Sequence, residues 1–265
     1  MVGALLKTPK SLKNEEKKKQ MKAGKLMSEF AGDTYYNTLN APAYSIAEAS
    51  RLVNMRPWTV RRYLQGYGYD YSYWGSVQRK THPPVVKDEN RNKETYASFL
   101  DLVDLLIIRE FLNRGFKLPT LRKALDEARE YLGTPHLGRN VFFTSGNQEI
   151  ILQLPKDGIM IALLTGGQAV IPEITRSLSD KLEFEDVTKF GFASRWYPRG
   201  TNGLIVIDPE ISFGRPTLIG RGVATNNIYD LFLGENSEIE PVANWFNIPV
   251  PEVQAAVQFE HSLWT

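Results

Sequence analysis

Between Ser45 and Gly66 the chain reads SIAEASRLVNMRPWTVRRYLQG, and few arrangements accommodate it. Ser45 followed three residues later by Glu48 is a capping box, and the apolar residues after it fall at helical spacing, so a short helix starts here. Asn54 and Met55 make a turn. Pro57 takes the place that suits proline in the first turn of a second helix, which Gly66 ends. In that second helix Val60 and Leu64, four apart, supply the inward stripe. At roughly 100° per residue, Trp58, Arg62 and Gln65 lie on the opposite side, with Thr59 and Arg61 on its flanks. Tyr63 stands among them in the sequence. The open N–H groups at Pro57 to Thr59 favour an anion. Paired arginines on one face suit phosphate and guanine edges, and with the capping box, the first-turn proline and the basic context they favour DNA over the plainer reading of a solvated surface.

Charge separates the two ends of the chain. Of 265 residues, Met1 to Lys80 carries 14 Lys and Arg against 6 Asp and Glu, whereas the whole chain nets only +2. A basic end joined to an acidic remainder points to a polyanionic partner for one and a basic partner for the other. Part of the excess lies in the lysine-rich stretch Lys7 to Lys25, which is expected to belong to a disordered, solvated tail over 1–40. The apolar share of 42% is that of a globular chain. No run approaches the roughly 20 apolar residues of a membrane span, and Met1 to Phe30 has no signal-peptide core, so a cytoplasmic location is expected. The lack of cysteine removes disulfides and thiolate metal sites.

Periodicity divides the rest. Residues 41–135 read as a helical domain with a small wing. The wing is the aromatic stretch Tyr67 to Val86, and Thr95 is expected to cap an apolar helix ending at Gly115. A further helix runs from Pro119 to Gly133. Over 136–207 the pattern turns to alternating or continuous apolar runs, VFFT, EIILQL, GIMIALL and QAVIPEI, expected to form a small antiparallel sheet with Gly166-Gly167 as a hairpin turn. Over 208–265 three helices return, with Thr225 as cap, Ser237 and Glu240 as a capping box, and Pro251 at the start of the last. The fold class is therefore α+β. The tyrosines Tyr67, Tyr69, Tyr71 and Tyr73, with Trp74, alternate along a strand. They either meet DNA or cover the wing or a dimer contact. Arg79, Lys80 and His82 follow within reach of phosphate.

YSIAEASRLVNMRPWTVRRYL resembles the DNA-binding opening of MerR-like regulators, and FLNRGFKLPTLRKAL resembles the helix pair that follows the wing there. Arg61 falls on the arginine of that family's recognition helix and Tyr63 on its second tyrosine, whereas Arg62 replaces the first. The long dimerisation helix and effector cysteines are missing, which argues against a typical metal or drug sensor. The segment IDPEISFGRPTLIGRGVATNNIYDLFLGENSEIEPVANWFNIPVPEVQAAVQF resembles the small domain of VapB-type antitoxins, with its Asp-Pro, Gly-Arg-Pro and glycine-turn landmarks ahead of three helices. The order of parts from Tyr44 to Phe259 is similar to the larger antitoxins of that group.

The resemblance implies a type II antitoxin that binds double-stranded operator DNA, represses its own operon and neutralises a VapC or PIN-like ribonuclease toxin. The DNA candidates are Ser45, Pro57, Trp58, Thr59, Arg61, Arg62, Tyr63, Gln65, Arg79 and Lys80. Arg215 and Arg221, in glycine-rich turns, are candidates for the toxin, although such arginines often pair with local groups. The acidic helices after Ser237 oppose phosphate and favour a protein. A homodimer is expected, because one short helix reads too few base pairs. No cofactor, metal site or enzymatic activity is expected, since His82, His136 and His261 are scattered and no phosphate loop or nucleophile elbow occurs. A regulator without a toxin, with a ligand-binding middle domain, and an enzyme with an appended helix pair are the alternatives.

Overall fold

The computed structural model describes residues 34–88, 96–138, 142–145, 150–153, 160–163, 174–176, 181–185 and 191–264. The chain is α+β. Its first described element is not at residue 41 but at α1 (Thr34–Leu39), inside the stretch expected to be a disordered tail. Tyr36 and Leu39, three apart, bury themselves in the core, and that burial holds a helix too short to persist alone. The lysine-rich stretch before it lies outside the described residues.

A two-residue strand β1 (Tyr44–Ser45) pairs antiparallel with β4 (Tyr96–Ala97) and brings two helix starts side by side. Helix α2 (Ile46–Leu52) opens on the expected capping box: the Ser45 N–H donates to the Glu48 carboxylate at 2.8 Å, and the Glu48 N–H donates to Ser45 Oγ at 3.2 Å. Helix α4 (Phe99–Asn113) opens on the same device, but built from Ser98 and Asp101 rather than from Thr95. Residues 99–108 of α4 are all buried, so it is the central post of the core rather than an amphipathic surface helix. Helix α5 (Leu118–Leu132) lays Leu121, Ala124, Leu125, Ala128 and Leu132 into the same core, and Gly133 closes it in the left-handed conformation.

Helix α3 (Pro57–Gln65) follows α2 after a tight turn with Asn54 at φ 48°. The hairpin β2 (Tyr67–Tyr73) and β3 (Ser76–His82) then projects from the body, with every residue from Gly68 to Thr81 exposed. Gly66 joins α3 to it at φ 74°, where a Cβ would collide with the His82 carbonyl. The hairpin's exit is tied back to α3 and α5. Val85 and Val86 donate to the Tyr63 carbonyl, Arg122 donates to the Pro83 and Pro84 carbonyls, and Arg129 donates to those of Val85 and Pro135.

The middle of the chain forms two antiparallel sheets rather than one. Strands β5 (Phe142–Ser145), β6 (Ile150–Gln153), β7 (Met160–Leu163) and β8 (Ile174–Arg176) are ordered β7-β6-β5-β8. The second sheet is ordered β12-β11-β10-β9, from β9 (Leu182–Phe184), β10 (Ala193–Trp196), β11 (Ile205–Ile207) and β12 (Pro216–Leu218). Gly166-Gly167 lies outside the described residues. Strand β12 pairs with β11 across Asp208, so the boundary expected at 208 falls inside a sheet. Leu182, Phe192, Ala193, Trp196 and Ile207 join the helical core, and Ile205 and Leu218 join a second core with the C-terminal helices.

Those helices are α6 (Thr225–Gly234), α7 (Ile239–Phe246) and α8 (Val250–Trp264). Their caps differ from expectation. Ala224 precedes α6, leaving the Thr225 hydroxyl for Pro216 and Glu260, and Glu238 precedes α7 with no side-chain cap because Ser237 sits at φ 65°. No described helix is long and apolar enough to cross a membrane.

Candidate nucleic-acid interface

Helix α3 presents one face to the core and one outward. Val60 and Leu64 are fully buried, whereas Arg61 and Gln65 are exposed and Trp58 keeps 53% of its surface open. Pro57 is exposed in the first turn, and Thr59 and Arg62 are half-buried. Arg56, just ahead of Pro57, is exposed on the same end of the helix. Sequence reasoning passed over it, although a cation preceding a first-turn proline was visible there.

Two candidates are taken up by the fold itself. Tyr63 is buried in the core, because a residue three after Val60 shares its inward face; its ring is closed off and burial pushes its hydroxyl pKa up. The Ser45 hydroxyl is committed to capping α2, donating to Glu48 at 2.7 Å while accepting the Glu48 N–H. Its part is to set the angle of the helix pair.

The hairpin register distributes the remaining candidates over two faces. Tyr67, Tyr69, Tyr71 and Tyr73 stand opposite His82, Lys80, Gln78 and Ser76, and cross-strand partners share a face. Lys80 therefore joins the tyrosines. Arg79 stands opposite Asp70 on the other face and pairs with it at 4.0 Å, so the adjacent cations Arg79 and Lys80 point to opposite sides. On the tyrosine face His82 stacks on Tyr67, with ring centroids 4.7 Å apart, and the Tyr71 hydroxyl donates to Gln78 at 2.9 Å. The Arg62 guanidinium lies 3.7 Å from the Tyr67 ring centroid and 5.3 Å from that of Trp58. It bridges helix and hairpin into one strip of aromatic and cationic groups.

The C-terminal candidates are differently placed. Arg221 is held by Glu252 of α8 through two hydrogen bonds of 3.0 Å each, a bidentate pair with a carboxylate on another helix rather than with the local groups its turn suggested. Arg215 is exposed at a cleft of about 830 Å³ between the helical head and the C-terminal helices. Phe213 lines that cleft as well, 91% exposed at φ 57°, and Arg51 stacks on Trp264 there at 4.3 Å. Of the other histidines, His136 is sealed beside the buried Asp104 at 3.7 Å and His261 is exposed on α8. Among the described residues no three His, Asp or Glu side chains gather into a metal-binding group.

Helical head, projecting hairpin, two sheets and three closing helices together define an α+β chain with a basic aromatic strip on the head and hairpin, and with the last helix packed beside the helix pair, where Arg51 lies over Trp264. This fold is shared with the crystal structure of Rv2018 from Mycobacterium tuberculosis, at a TM-score of 0.55 and 18% identity over 83% of this chain and 99% of that one. In sequence the chain is similar to "Putative antitoxin VapB45" of Mycobacterium tuberculosis, at 22% identity over 201 residues, 71% of this chain and 82% of that protein. It is also similar to "Uncharacterized protein Rv2308" of the same organism, at 22% identity over 227 residues, 83% of this chain and 91% of the other. No protein-family model matches it.

Proposed function

We propose that the chain is an antitoxin that binds operator DNA through a MerR-like winged helix-turn-helix, represses its own operon as a homodimer, and neutralises a VapC or PIN-like ribonuclease. The observation that carries the DNA half is the seating of α3. With Val60 and Leu64 inward, Arg61, Gln65 and Trp58 stand open beside an aromatic hairpin. Such a face meets phosphates with its guanidinium groups and base edges with its polar side chains. The likeness to a protein bearing an antitoxin name supports the toxin–antitoxin half. Within 208–265 Glu210, Asp230, Glu235, Glu238 and Glu240 are exposed, whereas Arg221 is already paired with Glu252, and such a surface repels DNA and suits a basic protein.

Arg61→Ala tests the DNA half: affinity for duplexes of any sequence should fall and the salt dependence should weaken by about one ion. An unchanged salt slope would remove Arg61 from the interface. For the toxin half, truncation at Asp208 is the wrong instrument, because it would strip β12 from the sheet. Co-expression of the full chain with the product of the adjacent gene, followed by size-exclusion chromatography, should give a complex that Arg215→Glu weakens. Independent elution of the two proteins would end this half of the proposal. A regulator without a toxin is the second reading, favoured by the cleft at Arg215, whose volume is that of small-ligand sites.

A further inference from the structure

The hairpin turns on Trp74 and Gly75, at φ 51° and 77°. Two successive left-handed residues match the twist of the strands they join, and the residue pair that satisfies such a turn best is Asn-Gly. Tryptophan in the first position is a bulky side chain in a backbone region that bulky residues avoid. The fold offers the indole little in return, since it is 91% exposed and meets the Tyr73 ring edge-to-face with centroids 6.3 Å apart. Strain kept where the chain itself gains nothing points to something outside the chain.

Three observations identify that partner as duplex DNA, and each rests on the reading of α3 above. First, the strip is continuous: Arg62 joins α3 to Tyr67, and the tyrosine face runs from there to the tip with Lys80 on it and no carboxylate. Second, its charge suits a polyanion, whereas a second copy of the same strip would set cation against cation. Third, the reach fits. Strand β2 from Tyr67 to Tyr73 spans roughly 20 Å at about 3.3 Å per residue. The minor groove adjoining a major-groove site lies about half of a 34 Å helical turn away. That groove is about 6 Å wide, enough for a planar ring entering edge-on.

We infer that Trp74 is a second DNA-contacting element, inserted into the minor groove beside the stretch read by α3 and stacked on a base step there. Aromatic and apolar side chains at such positions partly unstack the step they enter.

The test uses the full chain and a duplex carrying a fluorescent adenine analogue at several A·T positions, an analogue that brightens when unstacked. Trp74→Asn removes the ring while giving the turn a better residue, so a lost effect cannot be laid to a lost hairpin. The native chain and Trp74→Phe should brighten the duplex. Trp74→Asn should leave it dark and bind about tenfold more weakly, at the low end of what one aromatic–base stack contributes. Equal affinity and equal brightening for Trp74→Asn, alongside weakened binding by Arg61→Ala, would overturn the tip contact and leave the α3 reading standing. No duplex binding by the native chain at low salt would overturn the α3 reading and the tip contact with it. Loss of self-association by Trp74→Asn in sedimentation velocity, with DNA binding intact, would give the tip to a second copy and overturn the inference.

Discussion

The Tyr44 hydroxyl donates a 2.7 Å hydrogen bond to the carbonyl of Gly214, a residue 170 positions away, and the bond is buried. Burial holds the Tyr44 hydroxyl pKa well above its ordinary value. Gly214 sits at φ 77°, and a Cβ there would collide with that hydroxyl. The contact joins the strand that opens the helical head to the Gly-Arg-Pro turn of the C-terminal part, so the head and the acidic end are fixed to one another at this point.

Tyr44→Phe should therefore leave a buried carbonyl without its donor and cost about 1 to 2 kcal/mol. In a chain of this size that is a fall of several degrees in thermal midpoint, readable by calorimetry or circular dichroism. Gly214→Ala should cost more, since it adds both a collision and a strained backbone. An unchanged midpoint for Tyr44→Phe would show the bond to be replaced by water.

Glu260 supplies a pH prediction. Its carboxyl is buried 2.5 Å from the Thr225 hydroxyl, and desolvation raises its pKa, with Asp230 nearby adding to the rise and Thr225 and Arg51 opposing it. The Thr225 hydroxyl also lies 3.2 Å from the Pro216 carbonyl, which only accepts. A protonated Glu260 donates to Thr225 and frees its proton for Pro216. A folded pKa above the unfolded value of about 4.3 means that the folded state binds more protons, so this group's contribution is full below that value and declines as pH rises through the folded pKa. Glu260→Gln keeps the donor without the charge. It should raise the unfolding midpoint at neutral pH by a few degrees and match the native chain at acid pH. A lower midpoint at neutral pH would mean that the carboxylate itself is needed.

Asp208 is almost fully buried between the sheet and the C-terminal part, accepting from Arg195 Nε at 2.7 Å and from the Glu210 N–H at 2.9 Å. Arg195 also donates to Glu183, and the bond to Asp208 raises the pKa of the guanidinium. Asp208→Asn retains the shape and loses the charge, and because Arg195 is partly solvated the loss should be about 1 to 2 kcal/mol. Urea unfolding measures it; a midpoint equal to that of the native chain would show the pair to be screened out.

The opposite orientations of Arg79 and Lys80 make a sharp comparison for DNA. Lys80→Ala should weaken duplex binding and reduce the salt slope by about one ion, while Arg79→Ala should leave both within error. The reverse order would place the duplex on the Asp70 face.

Signals confined to a few neighbouring residues were legible without coordinates. The Ser45–Glu48 cap, the turn at Asn54 and the first-turn Pro57 specify α2 and α3, because each satisfies a backbone group within one helical turn. The inward seating of Val60 and Leu64 follows from spacing in the same way, as do the strands after Val141 and the three closing helices.

Everything that depends on partners distant in sequence had to await the fold. Helix α1 forming on two buried residues depends on what lies across the core, whereas Ser98 capping α4 and Tyr63 turning inward were local signals of the legible kind that the reading passed over. That Lys80 rather than Arg79 shares the tyrosine face is set by a register that comes from a two-residue turn whose tryptophan matches no favoured pattern. Strand β12 reaching back over Asp208, and Tyr44 meeting Gly214, are contacts whose loop closure leaves no trace in local sequence. Helix starts are short-range chemistry that residue order spells out; which surfaces meet, and which therefore remain open to a partner, is decided when the chain packs.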